Sequence, residues 1–392
     1  MKYFKKFLLA YVILILISSC TKQEGFRMEG TVSDIEKGEV LLYEYNNTTK
    51  QTDTFEYRTF NDGKFILDSL RIPIEETTYL TLLIKTKSEN KSISFKYVKL
   101  PVIVENVPMT ATFTIFSGIS EIPESKYHDK VVNLEHNNEW LKTLKDGFIS
   151  ANQTRQRLVK DKATKEELIE SYKLVQEKSK VLNEEKSKVV LNLLNESNDD
   201  VFKALLLLVN KDLIEPSSYI SFTDKIIPHL SSSNKNITDQ LIFQKKEFEQ
   251  VLKTAIGQNY MDFKAKTIKG EEKKLSNTIK NNKYILLDFW ASWCGPCRTE
   301  IPNLKEAYNT YHPKGFDIFM ISIDKDKAKW VNASNDENLT WVNTLDENEI
   351  QQLYAVQTIP MNFLIDSKGK IVDKDLRGEK LDKKLEELLR EN

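Results

Sequence analysis

Two cysteines separated by two residues are the strongest chemical signal in the chain. Cys294-Gly295-Pro296-Cys297 follows residues 284–290, YILLDFW, a largely apolar run that predicts a strand buried on both faces. The proline predicts that the motif opens a helix, because its missing N–H costs least in the first turn. Two cysteines three apart at a helix start lie close enough to bridge without moving the backbone.

This placement predicts thiol–disulfide exchange. The first helical turn offers unpaired N–H groups and the positive end of the helix dipole, and both favour a thiolate over a thiol. The thiolate is the attacking species in exchange reactions. Cys294 is nearest the loop and solvent, so we expect it to be the nucleophile, and Cys297, one turn deeper, to resolve the mixed disulfide.

The alternatives are a static disulfide or half of a zinc site. A zinc site needs two more ligands, but no second C-x-x-C occurs. None of the four histidines has ligand spacing: His128, His136, His229 and His312. We therefore expect no metal and no cofactor beyond the dithiol itself.

The sequence around the cysteines resembles a known family. WCGPC after LLDFW resembles the thioredoxin superfamily, and WCGPCRTEIP resembles its membrane-tethered TlpA/ResA branch. The resemblance implies a thioredoxin-like α/β fold over residues 257–392. It also implies a cis-proline loop facing the cysteines at Thr358-Ile359-Pro360, where the Ile359 backbone meets the substrate chain and the loop keeps metal away from the dithiol.

Two carboxylates match family positions. Asp288, six residues before Cys294, matches the buried aspartate of thioredoxin, and Glu300, three after Cys297, matches the glutamate of the ResA-like branch. Burial in an apolar strand raises the pKa of an acid toward values useful for proton exchange. The sequence leaves open which of the two accepts the proton. Trp293 is expected to cover the disulfide as an apolar wall.

The Gly-Pro pair resembles that of thioredoxin, which indicates a reductase of exported protein disulfides recharged by a membrane electron donor. A peroxiredoxin is a competing interpretation, but its Pro-x-x-x-Thr-x-x-Cys signature is absent. A surface-binding lipoprotein is another, in which the redox domain only keeps a partner reduced.

Residues 1–20 are predicted to be a targeting segment. Lys2, Lys5 and Lys6 precede an apolar run too short to span a bilayer, and the segment ends in Ser18-Ser19-Cys20. Small residues before a cysteine resemble the bacterial lipobox, which implies a lipidated Cys20. An ordinary secretory signal with an incidental Cys20 is the alternative. Either implies a cell-envelope protein that faces the periplasm, and we expect an outer-membrane rather than an inner-membrane anchor.

Composition and periodicity predict a multidomain chain. The 392 residues include 57 basic and 58 acidic ones, so nothing indicates a nucleic-acid partner. Residues 25–120 show short strands that predict an N-terminal antiparallel β domain, a sandwich or barrel, with a hairpin at Asp62-Gly63. Residues 121–255 are predicted to form a central α-helical segment that includes one helix of roughly seven to nine turns. That helix could also form a coiled-coil dimer contact.

Overall fold

The computed structural model describes residues 26–46, 51–69, 77–86, 97–105, 107–114 and 119–390. The targeting segment with Cys20 lies outside this range. The chain divides into two units, one up to Lys245 and one from Lys246. Within the described ranges no helix combines the length and apolar character needed to cross a membrane.

The described part of the first unit begins with strands. They are β1 (Phe26–Val32), β2 (Gly38–Asn46), β3 (Gln51–Phe60), β4 (Lys64–Ser69), β5 (Thr78–Thr86), β6 (Tyr97–Val104), β7 (Met109–Thr114) and β8 (Ile119–Glu121). They form two four-stranded sheets, in the orders β4-β1-β7-β8 and β3-β2-β5-β6. Residues of both sheets, including Met28 and Leu42, share one hydrophobic core. The module is therefore a β sandwich, as the sequence predicted.

Two details of the sandwich differ from the sequence prediction. Strand β1 pairs with β7 in parallel, whereas the other pairs are antiparallel. The predicted hairpin at Asp62-Gly63 is wrong, because β3 and β4 lie in different sheets. Gly63 has φ +74° and donates its N–H to the Glu36 carbonyl at 2.8 Å. The turn is therefore hydrogen-bonded to the connection between β1 and β2, and at this turn the chain passes from one sheet to the other.

Helices follow the sandwich. They are α1 (His128–Val132), α2 (Glu139–Lys160), α3 (Lys165–Glu196), α4 (Asp200–Val209), α5 (Pro216–Ile226) and α6 (Lys235–Lys253), the last of which crosses the boundary between the units. Helix α3 has 32 residues and is the long helix that the apolar spacing predicted. It starts with a capping box between Thr164 and Glu167. Short 3₁₀ turns occupy Leu134–Asn137, Lys211–Leu213, Ile227–His229 and Ser232–Asn234.

The second unit is built on a mixed sheet. Its strands are β9 (Lys264–Thr267), β10 (Glu272–Lys274), β11 (Tyr284–Trp290), β12 (Phe316–Ser322), β13 (Val342–Leu345), β14 (Met361–Asp366) and β15 (Ile371–Lys374), in the order β10-β9-β13-β12-β11-β14-β15. Strands β11, β12 and β13 are parallel, and β14 is antiparallel to β11. This is the thioredoxin-like α/β arrangement that the sequence predicted.

Helices cover the sheet. They are α7 (Leu275–Lys280), α8 (Gly295–Tyr311), α9 (Lys327–Asp336), α10 (Ile350–Leu353) and α11 (Glu379–Leu389), with a 3₁₀ turn at His312–Lys314. Alternate residues of β11 enter two different cores: Leu286 packs with α8 and α11, whereas Leu287 and Phe289 pack with α7 and α10. This double burial explains the continuous apolar run of the strand.

Candidate active site: the disulfide at the start of helix α8

The two cysteines form a disulfide at the N-terminus of α8, with a Cα–Cα distance of 5.3 Å. Cys294 is the N-cap residue, and Pro296 lies in the first turn, as predicted. The Cys297 N–H donates to Cys294 Sγ at 3.2 Å. An N-cap acceptor satisfies one of the unpaired N–H groups at a helix start, so the same N–H is placed to stabilise a thiolate on Cys294.

Exposure does not separate the two cysteines. Each residue is 4% exposed, and both belong to one core cluster, against which Ile359 packs. The expectation that Cys294 is the more solvent-exposed residue is therefore wrong for the disulfide form. Their positions in the helix do differ, because only Cys294 occupies the cap.

Two predicted features lie near this helix start, the cis-proline loop and Trp293. The Ile359–Pro360 peptide bond is cis, as the sequence context predicted. Both residues are half-buried and directly precede β14, which pairs with β11. Trp293, which immediately precedes the cysteine pair, is 65% exposed. Most of its side chain is therefore open to solvent.

Asp288 lies in the middle of β11 and is 5% exposed. It pairs across the ladder with Asn362, whose side-chain amide hydrogen-bonds the carboxyl group. The pKa of Asp288 is raised to about 8: burial is the largest cause and the charge of Glu300 adds to it, while the Asn362 hydrogen bond and the Arg377 charge oppose the increase. Asp288 can therefore exchange a proton near neutral pH.

Glu300 lies on α8, one turn beyond Cys297, and is half-buried. Its Oε1 accepts the Gly378 N–H at 2.7 Å, and its Oε2 accepts from Asn303 Nδ2 at 2.9 Å. The two carboxylates thus have separate hydrogen-bond partners, although the charge of Glu300 helps to raise the pKa of Asp288.

Sequence reasoning missed the connection after β15. Arg377 Nη2 donates to the carbonyl of Pro360 at 2.5 Å and forms an ion pair with Asp375. Asn362 holds this segment by exchanging two hydrogen bonds with the Leu376 backbone, at 2.7 and 2.9 Å. These contacts join residues far apart in sequence, so no local pattern could have indicated them.

Ser292 and Asp324 were also missed. The Asp324 carboxylate accepts hydrogen bonds from both the backbone N–H and the hydroxyl of Ser292. An acid two residues after the end of a buried parallel strand is a signal that could have found it, because the carboxyl ends of such strands border functional crevices. In the residues that the structure describes, no group of three or more His, Cys, Asp or Glu side chains is arranged to hold a metal ion.

Comparison with known proteins agrees with this geometry. The sequence model of the AhpC/TSA family matches residues 256–374. The thiol-disulfide oxidoreductase ResA of Bacillus cereus is 31% identical over 144 residues, which cover 36% of this chain and 82% of ResA. The thioredoxin-like protein YneN of Bacillus subtilis is 34% identical over 119 residues, covering 30% of this chain and 69% of YneN.

Among solved structures, the thioredoxin domain of a thiol-disulfide oxidoreductase from Bacteroides vulgatus has a TM-score of 0.33 and 33% identity, over 35% of this chain and 99% of that domain. The region that the family model matches lies in the second unit, which has a thioredoxin-like domain with a disulfide at its helix start. The chain belongs to the ResA/TlpA-like thiol-disulfide oxidoreductases, because its ResA relative is 31% identical and is covered over 82% of its length. It is a thiol-disulfide oxidoreductase.

Proposed function

We propose that the protein reduces disulfides of exported proteins through the Cys294–Cys297 dithiol, with Cys294 as the nucleophile. The observation that carries this assignment is the hydrogen bond from the Cys297 N–H to Cys294 Sγ at the helix N-cap. An N–H donor and a helix dipole favour a thiolate at that sulfur, and the thiolate is the attacking species.

The exchange proceeds in two displacements. The Cys294 thiolate attacks one sulfur of the client disulfide; a Cys294–client bond forms, and the other client sulfur leaves and takes up a proton. The Cys297 thiol then loses its proton and attacks Cys294, which releases the second client thiol. The client gains two electrons and two protons, and the enzyme is left with the Cys294–Cys297 disulfide.

Asp288 is proposed to exchange the proton of Cys297, with Glu300 setting the local charge. Two observations support this division. The pKa of Asp288 is raised to about 8, mainly by burial. Both oxygens of Glu300 already accept N–H donors, from Gly378 and Asn303. A group with a pKa near the working pH exchanges protons most efficiently.

Client proteins are proposed to dock on the surface formed by Trp293 and the cis-proline loop. Trp293 is 65% exposed and adjoins Cys294 in the chain. The Ile359 backbone, held next to the cis peptide bond of Pro360, would pair with an extended client segment.

The proposal also includes the direction of electron flow and the location of the protein in the cell. The Gly295-Pro296 pair favours a reductase with a potential on the order of −270 to −200 mV, recharged by a membrane electron donor. The protein would act in the periplasm-facing cell envelope of a bacterium, anchored by a lipid on Cys20, on the outer rather than the inner membrane. No cofactor other than the dithiol is required.

The proposed organisation assigns residues 1–20 to a lipoprotein signal, 25–120 to the β module, 121–255 to the helical segment and 257–392 to the redox domain. The first two folded segments are proposed to act as a spacer or partner-binding module. If the protein lacking residues 25–255 reduced every physiological client as well as the full chain does, the spacer role would be favoured.

The reduction potential of the Cys294–Cys297 pair tests the direction of electron flow. Protein lacking residues 1–20 is equilibrated against glutathione or dithiothreitol mixtures, and the reduced fraction is measured by thiol alkylation. A potential near −270 mV supports the reductase; one near −120 mV makes the protein a disulfide-forming enzyme. A Cys294→Ala variant that kept full disulfide-reductase activity would refute the assignment of the nucleophile.

Lipidation is tested separately in cells. The natural chain is expected to incorporate labelled palmitate and to sediment with membranes. Cys20→Ala is expected to lose both properties, whereas an unlabelled natural chain would contradict the anchor.

A further inference from the structure

A buried carboxylate that the redox steps do not use lies beside the loop carrying Cys294. Asp324 follows β12, is 5% exposed, and accepts hydrogen bonds through both of its oxygens. Oδ2 accepts the Ser292 backbone N–H at 2.8 Å and the Ser322 hydroxyl at 2.6 Å, and Oδ1 accepts the Ser292 hydroxyl at 2.6 Å. Buried charged groups persist when their hydrogen-bonding capacity is filled in this way.

These bonds join two loops at the same edge of the sheet. Ser292 lies in the turn after β11, and Asp324 lies in the turn after the parallel neighbour β12. The ladder continues into the turns, because the Ile323 N–H donates to the Trp290 carbonyl at 2.9 Å. Ser322 fixes the carboxylate from its own strand and also accepts the Asp324 N–H at 3.1 Å. Asp324 is thus held by Ser322 of β12, and it accepts two hydrogen bonds from Ser292 in the turn after β11.

The turn that contains Ser292 determines where Cys294 lies. Only Trp293 separates Ser292 from Cys294, and the Cys294 N–H donates to the Ala291 carbonyl at 3.0 Å. The turn therefore delivers Cys294 to the N-cap position, where its sulfur meets the Cys297 N–H at 3.2 Å. A displacement of the turn would misalign this hydrogen bond without touching either cysteine.

We propose that Asp324 is a positioning residue of the redox reaction, which clamps Ser292 and thereby holds Cys294 at the cap of helix α8. The clamp acts by hydrogen-bond geometry. Its role rests on the proposed function, in which Cys294 is the attacking thiol. Reactive groups must be held within about 0.5 Å of their productive geometry, which gives the clamp its effect on rate.

Asparagine and alanine at position 324 separate geometry from charge. In Asp324→Asn the amide oxygen can accept the Ser292 N–H and the Ser322 hydroxyl, and the NH₂ group can donate to a rotated Ser292 hydroxyl. This variant removes the charge and keeps the clamp. Asp324→Ala removes both.

The readouts are the kcat/KM for client reduction and the thiolate fraction of Cys294, followed by absorbance at 240 nm in the reduced full-length protein. Asp324→Ala is expected to lower each on the order of tenfold, because a misplaced sulfur loses its N–H donor and its alignment. Asp324→Asn is expected to keep both within about twofold, since every bond of the clamp can be remade.

Two further variants complete the test. Ser292→Ala keeps the carboxylate and the N–H bond but loses the hydroxyl bond, and a decrease of about threefold in kcat/KM is expected. Asp326→Ala is the matched control: its exposed side chain caps α9 through the Ala328 and Lys329 N–H groups. That variant is expected to lower the melting temperature and leave both redox readouts unchanged.

The inference is overturned if Asp324→Ala folds and lowers only the melting temperature, because the residue would then be merely structural. It is also overturned if Asp324→Asn behaves like Asp324→Ala, since charge rather than geometry would then act. Should Asp324→Ala not fold, a Ser292→Ala variant with natural kinetics overturns it. Failure of the proposed function would show itself differently. The natural protein would then not reduce client disulfides, or the Cys294→Ala variant would keep full reductase activity.

Discussion

The buried carboxyl group of Asp288 is the side chain whose ionisation bears most directly on the reaction. Its pKa is raised to about 8, chiefly by burial, so in the disulfide form the group is protonated at neutral pH. A donor that attacks Cys294 expels Cys297 as a thiolate, and a protonated Asp288 can supply that thiolate with a proton. Recharging of the enzyme should therefore be fast below pH 8 and slow above it.

Asp288→Asn is expected to slow disulfide reduction on the order of 100-fold at pH 6 to 7, because the general acid is lost. It should also remove the decrease in rate near pH 8. The measurement is stopped-flow tryptophan fluorescence during reduction by dithiothreitol, with rates divided by the thiolate concentration of the reductant.

Asp317→Asn is the matched control for that experiment. Asp317 lies on the neighbouring strand β12, and burial also raises its pKa, but it bonds Asn282 and the Ile318 N–H instead. The control should retain the natural pH profile. An unchanged profile in Asp288→Asn would assign the proton to another group.

Arg377 is expected to tune this proton exchange. Its charge lowers the pKa of Asp288 in opposition to burial, so Arg377→Gln should shift the midpoint of the rate profile above pH 8. Arg377→Lys keeps the charge and should shift the midpoint less. A midpoint that stayed in place in Arg377→Gln would show that solvent screens the exposed guanidinium completely.

At the scale of elements, the β11–α8 unit could be predicted from local patterns. The apolar run of β11, the proline of the first turn and the spacing of Cys294 and Cys297 each depend on neighbours in sequence. The long helix α3 was predicted for the same reason.

Contacts between distant segments could not be predicted in this way. Arg377 and Pro360 are 17 residues apart, and Ser292 and Asp324 are 32 apart. Their meeting depends on strand order, which a single sequence does not specify. The parallel pairing of β1 with β7 and the sheet change at Gly63 escaped prediction because they too are decided by tertiary packing.

The α2–α3 helical pair depends on a buried ionic cluster. Glu135, with a side chain 5% exposed, forms ion pairs with Lys145 of α2 and Lys186 of α3. Burial alone would raise the pKa of Glu135, but the two lysines outweigh it and hold the pKa below its ordinary value. A lowered pKa in the folded state stabilises the fold above the unfolded pKa of about 4.3, and this stability is lost as pH falls through the folded value.

Glu135→Gln is therefore expected to destabilise the first unit by about 1.5–3 kcal/mol at pH 7, with the difference shrinking below pH 4. Urea unfolding followed by circular dichroism at both pH values measures it. Glu184→Gln, which removes an exposed partner of Lys180 on the same helix, should change stability by less than about 0.5 kcal/mol. If both variants lost the same free energy of unfolding, the buried cluster would contribute no more to stability than an exposed ion pair.

At the scale of the whole molecule, the sandwich and the redox domain have separate hydrophobic cores. We expect calorimetry to resolve two unfolding transitions, of which only one responds to reductant. Opening a disulfide that closes so short a loop should destabilise the redox domain by about 2 kcal/mol. Cys294→Ala should abolish the response. A shift of both transitions on reduction would mean that the units unfold as one.

The N–H of Cys297 already faces the sulfur of Cys294 while the disulfide is intact. When two electrons arrive, the charge that develops on that sulfur meets a dipole that is in place beforehand, so the backbone has little to rearrange. The main changes in each redox cycle are then the transfer of protons and the release of the partner. The start of helix α8 is therefore preorganised for the thiolate and needs no large movement to receive it.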